Sequence, residues 1–270
     1  VTIVGVLNLT PDSFSDGGRF VDALEALEID AAVEAGLALV AAGADILDLG
    51  GESTRPGSRA VPAAREIERV RPVVEGLAKA TKTPISVDTR KAEVAEALLE
   101  AGATIVNDVS GLRHDPRIAE VVARKGAGLL LGHLRGEPET MQQDVHFDDV
   151  LGEVAAELSV SVARARAAGV PEERLAIDPG LGFGKRLEHN LTLLARVAEL
   201  RARVGLPVLI GPSRKSFLGE LTGDPVDRRD EATLAACAVA IFLGADGVRV
   251  HDVAGARRAA AVARALRELR

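Results

Sequence analysis

The stretch Asp178-Pro-Gly-Leu-Gly-Phe-Gly-Lys185 sets a carboxylate at the end of a short apolar run, Leu175-Ala-Ile177, and follows it with Gly180, Gly182 and Gly184. An acid at the end of a strand-like run, then a glycine-rich turn, is how a parallel sheet presents a ligand-binding group at its carboxyl edge. The glycines admit close approach of backbone to ligand, so the stretch suits a small polar heterocycle anchored by Asp178. Nucleotide loops are excluded by spacing. Pro179 stands where G-x-x-x-x-G-K-[ST] needs its first Gly, Arg186 follows the Lys, and the glycines run G-x-G-x-G. Lys185 reads as a solvated turn lysine.

The elements that must hold Asp178 in place recur along the chain. Apolar, β-branched runs at 1–9, 45–50, 85–89, 104–109, 128–133, 175–178, 207–211 and 247–251 are each followed by an amphipathic stretch with the 3.6-residue period. Ile67, Val70, Val74 and Leu77 form one apolar stripe, Val94, Ala97, Leu98 and Ala101 a second, and Val262, Ala265, Leu266 and Leu269 a third. Gly43, Gly102, Gly126 and Gly244 sit just before strand runs, where a helix ends. Runs such as Ile85-Ser-Val87 and Leu129-Leu-Leu131 are too apolar for a half-exposed sheet and fit strands covered by helices. Eight βα units in 270 residues, with no linker or shift in composition, predict one α/β domain over 1–270, a single (β/α)8 TIM barrel with its site at the carboxyl ends of the strands. An open doubly wound sheet is the alternative. Two connections, 10–20 and 53–61, are too long for tight turns and both follow strand ends, where long loops carry function.

In a barrel the strand ends converge, and here they are polar. In chain order they offer Asn8; Asp48 and Glu52; Asp88; Asn107 and Asp108; His133; Asp178; Ser213-Arg-Lys215; and Arg249 with His251. Stability alone does not call for so many polar groups at the ends of apolar strands.

Bulk properties narrow the classes of partner. A net charge of −7 argues against nucleic acid, whose phosphates need a basic surface, and aromatic residues at 2%, with no Trp or Tyr, argue against base stacking. No window reaches the ~18 uninterrupted apolar residues of a membrane span. The chain opens on Val1-Thr-Ile-Val4 without a basic region or cleavage pattern, so no signal peptide is expected, although the missing initiator Met leaves room for residues ahead of Val1. A single Cys237, in an Ala-rich run, excludes an internal disulfide framework and fits a packed thiol in a reducing, cytoplasmic setting.

Six blocks in order make the chain recognisable: Asn8-Leu-Thr-Pro-Asp-Ser-Phe-Ser-Asp-Gly-Gly18, Gly50-Gly-Glu-Ser-Thr-Arg-Pro-Gly57, Asn107-Asp-Val-Ser-Gly111, Asp178-Pro-Gly-Leu-Gly-Phe-Gly-Lys185, Ser213-Arg-Lys-Ser216 and Arg249-Val-His251. Together they closely resemble the dihydropteroate synthase family of folate enzymes, the sulfonamide targets, over essentially the whole chain; Gly132-His-Leu134 and Pro212 are small departures. The resemblance implies a transferase that joins 6-hydroxymethyl-dihydropterin pyrophosphate to p-aminobenzoate with help from Mg2+. It implies a pterin site of Asp88, Asn107, Asp178 and Lys215, in which carboxylates and an amide meet the ring donors and an ammonium meets the carbonyl. It implies a pyrophosphate site of Thr54, Arg55, Arg249 and His251, with Arg suited to bidentate contact. Asn8 is the expected Mg2+ ligand, with Asp12 or Asp16 of the first long loop to complete the shell. For p-aminobenzoate, Phe14, Pro56 and Phe183 offer an apolar wall, and Ser213 opens the helical stretch whose N–H groups would take the carboxylate. Lys215, Asp88, Arg249 and His251 are the groups expected to carry the reaction, with no covalent nucleophile. A homodimer through helices away from the active face, near the Ala-rich 234–243, is also implied.

Other readings use the same residues. A methyltetrahydrofolate:corrinoid methyltransferase shares the pterin groups but has no use for Arg55, Arg249 and His251, and a non-catalytic pterin-binding protein would not need both substrate sites. Asp108 points opposite to Asn107 along a strand and reads as structural. Asp48 and Glu52 would brace Arg55 and other loop residues. His114, His146 and His189 read as solvated, no zinc constellation emerges, and His133 stays open between ligand and structural roles.

Overall fold

The computed structural model describes residues 1–10, 29–54 and 57–269. Its strands are β1 (Thr2–Asn8), β2 (Ile46–Gly50), β3 (Ile85–Asp88), β4 (Ile105–Asp108), β5 (Gly128–Leu131), β6 (Leu175–Ile177), β7 (Leu209–Ile210) and β8 (Gly247–Val250). They form one parallel sheet in the order β6-β5-β4-β3-β2-β1-β8-β7. A parallel bridge between Ile177 and Val208 joins the two end strands and closes the sheet on itself, as the βα pattern predicts. Between Pro207, which has no N–H to give, and Gly211-Pro212, regular pairing survives only at Leu209–Ile210, so the seventh strand is shorter than its apolar run.

The helices are α1 (Ile29–Ala41), α2 (Ala63–Ala80), α3 (Ala92–Glu100), α4 (Arg117–Lys125), α5 (Val150–Ala167), α6 (Leu187–Ala195), α7 (Val197–Val204), α8 (Ser216–Thr222), α9 (Asp230–Leu243) and α10 (Val253–Arg267). Val70, Val74 and Leu77 of α2 and Val94 and Leu98 of α3 are buried, as their stripes require. On α10 the expectation fails. Val262, Leu266 and Leu269 are 62%, 54% and 86% exposed, and the helix buries Val253, Ala256, Ala260 and Ala263 instead. Small side chains let α10 lie close against its neighbours, so the packed face is the alanine face rather than the bulkier one.

A third long connection, residues 132–149 between β5 and α5, was not expected from the sequence. It lies on the carboxyl side of the barrel and meets the second long loop, Gly57 N donating to Pro138 O at 2.9 Å.

Candidate active site

The strand ends converge as the barrel requires. A cavity of about 330 Å³ is lined by Asn107, Asp178, Phe183, Lys215 and Arg249, drawn from β4, β8 and the segments after β6 and β7. Larger hollows open at the opposite end of the barrel, around Gly205, Pro207 and Arg267, and they do not gather these buried carboxylates and ammonium groups.

Asp48, 1% exposed on β2, organises the floor of the site. Its Oδ2 accepts from Arg249 Nε at 2.5 Å and from Asn107 Nδ2 at 3.1 Å. With the amide nitrogen of Asn107 committed to Asp48, its oxygen is the end left for a ligand. Arg249 also donates from Nη2 to Asp88 Oδ2 at 3.0 Å. Burial opposes the charge on Arg249, but the Asp48 and Asp88 carboxylates outweigh it and hold the guanidinium firmly protonated. Asp88 is pushed up to about 7, chiefly by burial, with Arg249 pulling the other way and the Asp48 charge adding to the rise. Asp88 Oδ1 and Asp48 Oδ1 are buried without a hydrogen-bond partner. Unpaired buried acceptors at a cavity floor are what a ligand rich in donors would satisfy.

Asp178 both caps its own turn and faces the cavity. Its Oδ1 accepts from Gly180 N at 2.7 Å. Its Oδ2 lies beside Gly211, only 3.5 Å from where a Cβ on that residue would be. Burial raises its pKa, opposed by Lys215. Lys215 is brought down to about 8 by burial, partly countered by Asp178. Its Nζ donates to Leu181 O and stands 3.9 Å from the centroid of the Phe183 ring.

Asn8 and His251 lie together at the mouth. Asn8 Nδ2 is 3.3 Å from His251 Nε2, and Ser213 Oγ is 2.8 Å from His251 Nδ1. An amide nitrogen can only donate, so Nε2 accepts and the ring proton sits on Nδ1, given to Ser213. Ser213 Oγ also accepts from His251 N at 3.2 Å. The expectation that Ser213 opens a helix is corrected here: α8 starts at Ser216, and the Ser213 hydroxyl belongs to the His251 group. Between them Arg214 takes φ 56°, a left-handed turn that sends Ser213 and Lys215 to different neighbours. The Arg214 guanidinium forks onto Asp230, with Nε at 2.8 Å and Nη2 at 3.0 Å.

The residues expected for the pterin and those expected for the pyrophosphate meet in one arrangement. Arg249, assigned with His251, bonds to Asp88 and lines the same cavity as Asp178 and Lys215. It joins the two groups because alternate residues of β8 face the same way, so Arg249 reaches inward and His251 stands one step nearer the mouth. Thr54 is half-buried on the loop after β2. Asp12, Phe14, Asp16, Arg55 and Pro56 lie outside the described residues.

Two expectations about supporting residues are overturned, and a third is extended. Lys185 is 3% exposed, not solvated, because the glycine turn folds over it. Its Nζ lies 3.0 Å from Gly180 O, 3.0 Å from Phe183 O and 3.0 Å from His133 Nδ1. His189 is partly shielded rather than solvated, packed edge-on against Phe147 at 5.0 Å and accepting from Arg186 N. Glu52 braces its loop, accepting from Val61 N at 2.8 Å, and among the described residues it also meets Arg90 at 2.9 Å and Lys91 at 2.5 Å. Lys91 also reaches Glu66 at 2.6 Å, and Arg90 reaches Glu137 at 2.6 Å. Burial alone would raise Glu52, but these cations and the Val61 N–H hold it low. Sequence reasoning passed over Arg90 and Lys91, although Asp88-Thr-Arg-Lys91 sets two cations directly after a strand-end acid. Asp108 is structural as expected, accepting from Ser110 N at 2.9 Å and Leu112 N at 2.7 Å. His133 resolves as structural too, bonded to Glu157 at 2.9 Å.

Known proteins carry the same plan. A family model described as pterin binding enzyme matches residues 4–251. The chain is 44% identical over 265 residues to a dihydropteroate synthase of Synechocystis sp., covering 98% of this chain and 89% of that one. A Yersinia pestis dihydropteroate synthase solved with a sulfonamide drug complex superposes with a TM-score of 0.91 at 39% identity, covering 99% of this chain and 94% of that one. The Xanthomonas albilineans dihydropteroate synthase with 4-aminobenzoic acid gives a TM-score of 0.88 at 44% identity, over 98% and 92% of the two chains. The chain belongs to the dihydropteroate synthases, within the pterin binding enzyme family.

Proposed function

We propose that the chain joins 6-hydroxymethyl-7,8-dihydropterin pyrophosphate to p-aminobenzoate, giving 7,8-dihydropteroate and pyrophosphate. It is a transferase of folate synthesis. The observation that carries the reading is the acceptor-rich floor of one cavity: Asp88 Oδ1 without a partner, Asp178 Oδ2 open, and Asn107 turned by Asp48 to offer its oxygen. The pterin edge carries an amino group and ring N–H donors, which this set would accept, while Lys215 would serve the ring carbonyl. A site built to pair such donors rejects analogues that lack them.

The reaction breaks the bond from the pterin methylene to the pyrophosphate oxygen, and the arylamine nitrogen forms the new bond to that carbon. Arg249 and His251 would meet the leaving oxygens, with Arg55 from the second loop. Arg249 is already oriented by two carboxylates, so no reorganisation is needed when charge develops beside it. Phe183, under the Lys215 ammonium, offers the flat face against which the p-aminobenzoate ring would lie. Holding both partners at bonding distance supplies much of the rate, since no protein nucleophile is involved.

Asn8 fits a divalent cation. Its Nδ2 is turned to His251, leaving Oδ1, and the missing side chain of Gly50 keeps open a space 3.9 Å from that oxygen. Mg2+ takes few protein oxygens where phosphates and water provide the rest, so a single amide oxygen beside the leaving group is a reasonable protein share. Bound there, Mg2+ would withdraw charge from the pyrophosphate oxygens.

A homodimer is part of the same reading, supported by exposed Val239 on α9 and Val262 and Leu266 on α10, apolar side chains on helices away from the carboxyl face. A cytoplasmic setting is supported by the lone, buried Cys237 thiol. No described helix is long and apolar enough to cross a membrane. The function is tested by incubating the chain with labelled p-aminobenzoate, the pterin pyrophosphate and Mg2+. The reading expects label in a pterin conjugate; methyl transfer from methyltetrahydrofolate without such a conjugate would overturn it.

A further inference from the structure

The glycine turn 180–184 is gripped by two lysines from opposite sides. Above it, Lys215 Nζ donates to Leu181 O and stands 3.9 Å from the Phe183 ring centroid. Below it, Lys185 Nζ meets Gly180 O at 3.0 Å, Phe183 O at 3.0 Å, His133 O at 3.3 Å and His133 Nδ1 at 3.0 Å. We propose that Lys185 is a positioning residue for the second substrate: it fixes the turn from beneath, so that the Phe183 ring is set before p-aminobenzoate arrives. The proposal rests on the reading of Phe183 as the wall of the p-aminobenzoate site.

The contacts of Lys185 are unusual for a buried ammonium. They include no carboxylate, only backbone oxygens of the turn and the backbone and ring of His133, the residue two places beyond β5. Burial, with the Lys215 charge, pushes the Lys185 pKa well below the usual lysine value, and the N–H donors of the group are spent on these four acceptors. Burying such a group against carbonyls is costly in itself, and an apolar side chain of similar length would fill the space without that penalty. What the apolar side chain could not do is bind Gly180 and Phe183 to the end of β5. The turn is seated directly there: a Cβ on Gly180 would lie 1.9 Å from His133 O, and one on Gly184 2.9 Å from Arg135 O.

The grip is anchored further out. His133 Nδ1 accepts from the ammonium, so its proton is on Nε2, which donates to Glu157 on α5 at 2.9 Å. Burial and the Lys185 charge keep this ring neutral, bringing His133 down to about 3. Glu157 in turn accepts from Arg113 and, at 2.9 Å, from Arg135 Nε. The Phe183 side of the site is thus tied through Lys185 and His133 to a helix of the outer ring. The division of labour follows. Lys215 lines the cavity and is the group read for the pterin carbonyl, whereas Lys185 is not among the lining residues and spends its contacts on the turn and the end of β5.

The test is steady-state kinetics of the full chain with the pterin pyrophosphate, p-aminobenzoate and Mg2+. Lys185→Met is expected to raise KM for p-aminobenzoate on the order of tenfold and to leave KM for the pterin pyrophosphate within about threefold, a split that follows from loss of uniform binding of one substrate. Phe183→Ala should raise the same constant, and the double variant should be no worse than Phe183→Ala alone, because the two act as one unit. A lysine with a merely structural role would lower Tm, leave both KM values in place and multiply with Phe183→Ala, and that outcome overturns the proposal. If Lys185→Met does not fold, His133→Leu removes one acceptor and carries the same test: a selective rise in KM for p-aminobenzoate supports the proposal and an unchanged value overturns it. Failure of the underlying reading looks different. The wild-type chain would then make no product, or Phe183→Ala would itself leave KM for p-aminobenzoate unchanged, and either result removes the proposal along with the reading.

Discussion

Arg249 Nε lies 2.5 Å from Asp48 Oδ2, a pair 201 residues apart in sequence that joins the last strand of the barrel to the second. Through the same guanidinium Asp48 is linked to Asp88, and through its own oxygen to Asn107, so the residues proposed for the pterin and for the pyrophosphate share one cation.

Arg249→Ala therefore does more than weaken pyrophosphate binding. It leaves two buried carboxylates without a cation, a change that typically costs roughly 3–5 kcal/mol. Urea unfolding at pH 8 should show a loss of that size. The loss should shrink at pH 5, where Asp88, with its pKa near 7, is protonated and no longer needs the partner. An equal loss at both values would contradict the shared-cation arrangement.

The pH dependence of kcat/KM for the pterin pyrophosphate follows from two groups. Asp88, raised to about 7, loses its negative charge as pH falls through that value, and with it a strong acceptor for the ring donors. Lys215, lowered to about 8, loses its ammonium as pH rises through that value. The profile should be bell-shaped, with its maximum between these values, because kcat/KM reports the free enzyme. Lys215→Arg should remove the alkaline limb at whatever rate it retains; persistence of that limb would assign it elsewhere.

Asp178→Ala and Lys215→Ala should each weaken binding of the bare pterin on the order of a hundredfold, equivalent to about 2.7 kcal/mol, since each removes a charge-assisted partner in a buried site. Asn8→Ala should leave that affinity within about twofold while slowing turnover, because Asn8 lies with His251 at 3.3 Å and not among the residues lining the cavity. Titration calorimetry separates the cases, and equal losses in all three variants would erase the distinction between ring and leaving-group contacts.

Gly180 and Gly205 make a controlled comparison. Both have positive φ, 67° and 79°, but a Cβ on Gly180 would meet His133 O at 1.9 Å while one on Gly205 meets nothing within 4 Å. Gly205→Ala should cost only the backbone strain, about 1–2 kcal/mol. Gly180→Ala should cost several-fold more in urea unfolding, or prevent folding. Similar losses would mean that the turn is not seated on β5 as described.

Much of this arrangement was legible in the sequence for a physical reason. Each strand is an apolar run that ends abruptly at a polar residue, so Asp88, Asn107, Asp178, Lys215 and Arg249 announce themselves as strand-end groups, and a closed barrel gathers strand ends. What each group pairs with was not legible. Asp48 reads from its neighbours as a brace for the adjacent loop, and only the pairing of β2 and β8 on either side of β1 reveals Arg249 as its partner. Lys185 looks exposed because glycine turns usually are, and its burial depends on that turn folding back onto β5. On α10 the hydrophobic pattern points to Val262 and Leu266, whereas close packing selects Ala256, Ala260 and Ala263.

The central claim is that one cavity binds the pterin, releases pyrophosphate and passes the methylene to an arylamine. Its most direct test is the rate of pyrophosphate release from the pterin pyrophosphate with Mg2+, measured with and without p-aminobenzoate. The account predicts release that rises with p-aminobenzoate to saturation and matches formation of dihydropteroate mole for mole. Release indifferent to p-aminobenzoate, or none at all, would contradict it.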